Sequence, residues 1–180
     1  MASLDPLKER LPDHARDLRL NLGAITSSTA LSAAQAWTVA VAAAHTTRSR
    51  DVIEAIEADA ALEPAALAAA RGAAAIMGMN NVYYRFQHFV AAGGEYAHLP
   101  ARLRMQIIGN PGVDKLDFEL ACLAASAITG CESCVRAHEQ SARERGGTKE
   151  MILDAVRIAA VLYGVAIAIP PGAPAASRDP

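Results

Sequence analysis

The stretch Lys115-Leu116-Asp117-Phe118-Glu119-Leu120-Ala121-Cys122-Leu123-Ala124-Ala125-Ser126-Ala127-Ile128-Thr129-Gly130-Cys131-Glu132-Ser133-Cys134-Val135-Arg136-Ala137-His138 decides the fold class. Its first part is Ala- and Leu-rich with apolar residues at helical spacing and predicts a helix over Lys115–Thr129. Thr129-Gly130 is a helix break, so a second helix is predicted to begin at Cys131. From there Cys134 follows at i+3 and His138 at i+7, which places all three side chains on one helix face. Glu119 lies one helix earlier, in a segment with few other polar groups before Ser126, and His138 is its natural partner.

The same pattern extends outward from this stretch. Alanine dominates, apolar residues recur at three and four, and no segment alternates convincingly as a strand, so the whole chain reads as an all-α helical bundle with the Cys-x-x-Cys at a helix N-terminus. Helices are predicted over Leu4–Leu11, Asp13–Leu22, Ala30–Ala44, Arg48–Asp59, Pro64–Met77, Asn81–Ala92, Ala101–Ile108, Lys115–Thr129, Cys131–Arg145 and Lys149–Ala168. Pro64 and Thr148 are opening signals, Gly146-Gly147 is a stop, and the Pro-, Ala- and Ser-rich tail 170–180 is expected to be disordered. A shift of 84 residues lays 30–77 over 114–161 without a gap. In that register Gln35, Thr47, Arg50 and Glu54 stand where Glu119, Cys131, Cys134 and His138 do, so the first copy would have the frame without the chemistry. The alignment fits either an internal two-fold repeat or two Ala-rich hairpins that match by composition.

Composition narrows the function classes. With 180 residues, 52% of them apolar, the chain is expected to form a single helical domain with a sizeable core, 1–180. A net charge of −2, scattered Lys and Arg, and 4% aromatic residues give no basic groove or stacking platform, so no nucleic-acid partner is expected. The longest apolar run, Ile158–Ile169, is short for a bilayer span, and no membrane association is expected. It is better read as a buried helix or a subunit interface. The N-terminus has early acids and no apolar signal core, which predicts a cytoplasmic protein. In a reducing compartment a Cys-x-x-Cys pair is more often catalytic or metal-binding than structural.

The candidate site is Glu119, Cys131, Cys134 and His138. A thiol at a helix N-terminus, beside an imidazole or within a Cys-x-x-Cys pair has its pKa lowered from about 8.5 to roughly 3.5–7.5, and the thiolate is the nucleophile. Two other roles fit the same residues: small core side chains, or a four-ligand zinc set, although structural zinc sites usually draw on two separate knuckles and more cysteine. Cys122, alone in an Ala/Leu helix, reads as core filler, and His14, His45, His88 and His98 have no thiol near them in sequence. The aromatic run Tyr83–Phe89 reads as core or an oligomer contact.

At Gly130-Cys131-Glu132-Ser133-Cys134-Val135-Arg136-Ala137-His138-Glu139, with Glu119 upstream, the chain resembles the alkyl hydroperoxide reductase D proteins of the carboxymuconolactone decarboxylase-like superfamily. The likeness is strongest over 115–168 and extends to Met77-Gly78-Met79-Asn80-Asn81-Val82-Tyr83-Tyr84-Arg85-Phe86. The resemblance implies an all-helical homotrimer with peroxidase activity. It also implies two partners, a peroxiredoxin of the alkyl hydroperoxide reductase C type and a lipoyl-bearing acyltransferase whose dihydrolipoamide is the reductant, with no bound cofactor. Glu119, Cys131, Cys134 and His138 match the family's catalytic set. Ser133 departs from relatives with histidine before the second cysteine, which removes a second proton route between the thiols. In this scheme Cys134 attacks the peroxide with His138 as base, and Cys131 resolves the sulfenic acid. Glu132 is expected to offset part of the helix dipole at Cys131. Cys131, nearer the helix end, is expected to be the more exposed sulfur and the contact for the protein partner.

Overall fold

The computed structural model of the chain describes residues 4–27, 30–90, 94, 96 and 98–169. Its described residues form helices and connecting turns, with no strand. In chain order these are α1 (Leu4–Glu9), a 3₁₀ turn (Asp13–Ala15), α2 (Arg16–Gly23), α3 (Ala33–Thr47), α4 (Arg50–Asp59), α5 (Pro64–Val90), α6 (Gln106–Gly109), α7 (Lys115–Thr129), α8 (Glu132–Glu144) and α9 (Lys149–Ala168). The tail from Pro170, expected to be disordered, lies outside the described residues.

Two Ala-rich helices make the centre. α3 buries every residue from Ala36 to Ala44, and α7 buries every residue from Phe118 to Ser126. The fully buried Ala40, Ala43, Ala44, Ala121, Ala124 and Ala125 let the helix backbones approach closely, so the core relies on many small contacts rather than on aromatic bulk. α5 and α9 pack on both central helices, and α8 packs on α7 and α5. α9 reaches twenty residues, longer than its apolar run suggests, and by length and composition alone could cross a membrane. Here Ala155, Ile158, Ala159, Leu162 and Val165 form its buried face, with Asp154 paired to Arg157.

Local signals account for the helix ends. Ser32 and Gln35 form a reciprocal capping box at the start of α3, which moves its opening from the expected Ala30 to Ala33. Asp114 and Thr148 cap α7 and α9 through their side chains. Gly147 has no room for a side chain, because a Cβ there would come within 2.8 Å of the Ala142 carbonyl oxygen.

Two expected elements differ. The break near Gly78 does not occur: α5 runs unbroken for 27 residues. A helical glycine costs only about 1 kcal/mol, and buried contacts from Met77, Asn80 and Asn81 straddle it. The helix expected over Ala101–Ile108 shrinks to Gln106–Gly109, since Arg102 adopts a φ of 53°, outside the helical region. α3, α4 and α5 follow one another in the same long, short, long order as α7, α8 and α9. In the first set Gln35 donates to Asp117 of α7 at 2.7 Å, and Arg50 and Glu54 form an exposed pair on α4.

Candidate active site

The turn between α7 and α8 sets the position of the first sulfur. Gly130 takes a left-handed φ of 69°, and the Cys131 amide donates back to the Ser126 carbonyl at 3.3 Å, which is the Schellman closure of α7. Cys131 thereby becomes the N-cap residue of α8, and the Val135 amide donates to its carbonyl at 2.9 Å. α5 braces this turn. Asn81 donates to Thr129 Oγ1 at 2.7 Å, Arg85 donates to the Thr129 carbonyl at 2.7 Å, and the Ser126 hydroxyl donates to Asn81 Oδ1 at 3.2 Å.

Cys131 and Cys134 are joined as a disulfide, with their Cα atoms 5.3 Å apart, inside the range such a bridge requires. Cys122 is free, fully buried, and its thiol is pushed well above its ordinary pKa by burial and then by the nearby Glu119 charge. It is a poor thiolate and lies apart from the bridge. His138 is four residues beyond Cys134 on the same helix, about one turn along. Its Nδ1 lies 2.7 Å from Glu119 Oε2, a direct contact between α8 and α7. The Glu119 side chain is only 4% exposed. Burial pushes its carboxyl up, but the His138 hydrogen bond and charge, a Ser141 hydrogen bond and Lys115 together outweigh this and hold it below its ordinary value.

The structure thus brings the four expected residues together as two pairs, and it corrects three expectations around them. Both cysteines are buried, Cys131 the more completely at 0% exposure against 6% for Cys134, because the Schellman turn folds the N-cap residue back toward the end of α7. Glu132 is not a free acid beside Cys131: it pairs with Arg136 at 2.9 Å and lies 3.6 Å from His88, so less of its charge acts against the helix dipole. His88, set aside for lack of a thiol nearby in sequence, is therefore a neighbour of the site. Of the two roles expected for the aromatic run, core packing does not describe Phe86 and Phe89, which are 48% and 73% exposed, and the oligomer-contact alternative is unaffected. Among the described residues no group of three or more His, Cys, Asp or Glu side chains is arranged to hold a metal ion.

Several contributors were invisible to spacing. Met77 Sδ lies 3.1 Å from His138 Nε2, and Asn81, Arg85 and Ser126 fix the turn before Cys131. For Met77, Asn81 and Arg85 the only sequence signal is membership of the Met77–Phe86 stretch; Ser126 carries none beyond being the first polar residue after Glu119. A cleft of about 270 Å³ is lined by Tyr84, His88, Tyr96 and Ser133, the residue between the two cysteines.

A bundle of helices that presents a Cys-x-x-Cys pair at a helix N-terminus, one turn from a Glu-supported histidine, defines the class of helical dithiol proteins. A family model described as the carboxymuconolactone decarboxylase family matches residues 94–169. The chain is 51% identical over 179 residues to the alkyl hydroperoxide reductase AhpD of Rhodospirillum centenum, covering 98% of this chain and 96% of that one. It is 54% identical to the AhpD of Gluconacetobacter diazotrophicus, with 91% of each chain covered, and 51% identical to that of Frankia alni, with 91% of this chain and 89% of the relative covered. The chain belongs to the alkyl hydroperoxide reductase AhpD family.

Proposed function

We propose that the protein is a thiol-dependent alkyl hydroperoxide reductase that cycles between a Cys131/Cys134 dithiol and the disulfide. The observation that carries this is the Cys131–Cys134 bridge one turn from the Glu119–His138 pair, in a chain whose relatives bear the name alkyl hydroperoxide reductase. His138 takes the proton of Cys134, and the thiolate attacks one peroxide oxygen. The O–O bond breaks, Cys134 becomes a sulfenic acid, and the departing alkoxide takes a proton and leaves as the alcohol. The Cys131 thiol then displaces water from the sulfenic acid to form the disulfide.

The small exposure of Cys134 and the cleft at Ser133 favour Cys134 as the sulfur that meets both peroxide and reductant. Attack there by an external thiolate gives a mixed disulfide and releases Cys131 as a thiolate at the N-terminus of α8, where the dipole favours negative charge. The second thiol of the reductant then displaces Cys134. In keeping with the resemblance, the reductant is dihydrolipoamide on a lipoyl-bearing acyltransferase, and the reduced protein in turn reduces a peroxiredoxin of the alkyl hydroperoxide reductase C type in the cytoplasm. A disulfide-exchange adaptor without peroxidase turnover would consume no peroxide with dihydrolipoamide alone. A superfamily decarboxylase would show no disulfide that cycles with peroxide.

The deciding experiment counts thiols before and after one equivalent of peroxide and maps the bridge by mass spectrometry. Loss of two thiols to a Cys131–Cys134 disulfide is expected, with Cys122 free in both states. A bridge containing Cys122 would overturn the assignment.

Assembly as a homotrimer is proposed on the same resemblance. It is supported by an exposed apolar stripe of Leu153, Tyr163 and Ile167 on α9, and by Val82, Phe86 and Phe89 on α5. Light scattering at micromolar concentration is expected to return three times the 18.8 kDa chain mass; a monomer mass would refute it.

A further inference from the structure

Reduction of the disulfide by a thiol calls for a base. Sulfur is attacked by the thiolate, and an ordinary thiol, with a pKa of about 8.5, is mostly protonated at neutral pH. With the bridge closed, both ring nitrogens of His138 are engaged: Nδ1 lies 2.7 Å from Glu119 Oε2 and Nε2 lies 3.1 Å from Met77 Sδ. An incoming thiol has to lose its proton elsewhere. The cleft of about 270 Å³ at Ser133 holds the alternative. Of the described residues that line it, His88 is the one whose side chain accepts a proton near neutral pH. That side chain is 49% exposed, open to a ligand and to solvent. Glu132 Oε2 lies 3.6 Å from His88 Nε2, while Arg136 binds the other carboxylate oxygen at 2.9 Å. The carboxylate favours a hydrogen on Nε2, which leaves the lone pair on Nδ1, and it steadies the positive charge that protonation brings. Two links tie His88 to the disulfide: Ser133, which lines the same cleft and precedes Cys134, and Glu132, which follows Cys131.

We propose that His88 is a catalytic residue of the reductive half of the cycle: its Nδ1 takes the proton of the dithiol reductant seated in the cleft, making the thiolate that attacks Cys134. The S–H bond of the reductant breaks, the proton moves to Nδ1, and the electron pair stays on sulfur. The new S–S bond to Cys134 forms as the Cys131–Cys134 bond breaks, and Cys131 leaves with the electron pair as a thiolate. His88 returns its proton to solvent and takes that of the reductant's second thiol, whose attack on the mixed disulfide releases Cys134. Two protons given to solvent balance the two thiolates left on the protein; the dithiol is oxidised and the bridge reduced. This rests on the dithiol/disulfide cycle proposed above. It divides the work between two histidines, His138 serving attack on peroxide and His88 serving recovery.

The test compares reductants that do and do not have a proton to lose. The oxidised full-length protein and its His88→Gln variant are reduced at neutral pH with dihydrolipoamide, with dithiothreitol and with tris(2-carboxyethyl)phosphine, and the rate at which thiols appear is followed. The phosphine attacks sulfur through a lone pair and needs no base. His88→Gln is expected to slow both thiols about tenfold, less than the hundredfold of a fully enclosed general base because the ring is half exposed, and to leave the phosphine rate unchanged. Thiol rates equal to those of the unaltered protein would overturn the role of His88. So would an equal slowing with the phosphine, which would mark a structural effect on the bridge. If dihydrolipoamide fails to reduce the unaltered protein while His88→Gln still slows dithiothreitol, the reductant named above is wrong and the role of His88 stands. If the phosphine opens the bridge and neither thiol does, the cycle and the role of His88 fall together.

Discussion

Cys134→Ser is expected to abolish the reaction with peroxide, lowering the rate of peroxide consumption by at least about a thousandfold, because a serine hydroxyl is not ionised at neutral pH as an activated thiol is. Cys131→Ser is expected to behave differently. It retains the attacking thiol and its histidine, so one equivalent of peroxide should still produce a sulfenic acid that dimedone traps at Cys134, while turnover stops for want of a resolving thiol. The contrast follows from placement. Cys134 shares a helix face with His138 one turn away and keeps a little exposure, whereas Cys131 is sealed in the turn behind Gly130. A trapped sulfenic acid in Cys134→Ser and none in Cys131→Ser would reverse the two roles and leave His138 to serve another step.

His138→Gln is expected to slow sulfenic acid formation by roughly a hundredfold, the lower end of what a positioned general base contributes. Glu119→Gln should slow it less, since the imidazole remains and loses the carboxylate that fixes its Nδ1 hydrogen 2.7 Å away. The two residues act as a unit, so the double variant should be little slower than His138→Gln alone. Multiplying effects in the double variant would show that Glu119 and His138 act independently, against the 2.7 Å contact. The same pair gives a sign for pH. Because the Glu119 carboxyl titrates lower in the folded chain than in the unfolded one, its contribution to stability is fully present above the ordinary carboxylate pKa and is lost as pH falls through the lower folded value. Glu119→Gln removes that contribution and should flatten the stability profile in this acidic window.

The chain by itself determined what depends on neighbours along the helix. Lys115–Thr129 and Lys149–Ala168 stand where periodicity and the signals at Gly130 and Thr148 place them, since these rest on hydrogen bonds and side-chain spacing within a few residues. The grouping of Cys131, Cys134 and His138 was legible for the same reason: helical spacing turns a sequence interval into a shared face. Where a local signal met a long-range contact, local logic failed. Gly78 did not stop α5, because buried contacts from Met77 and Asn81 to α7 and α8 outweigh the weak preference of one glycine. Which cysteine is the more buried, that Glu132 is paired, and that Met77 and Asn81 lie at the site were settled by packing alone. Those facts depend on how α5, α7 and α8 cross, and residues as far apart as Met77 and His138 meet through packing that no spacing along the chain encodes.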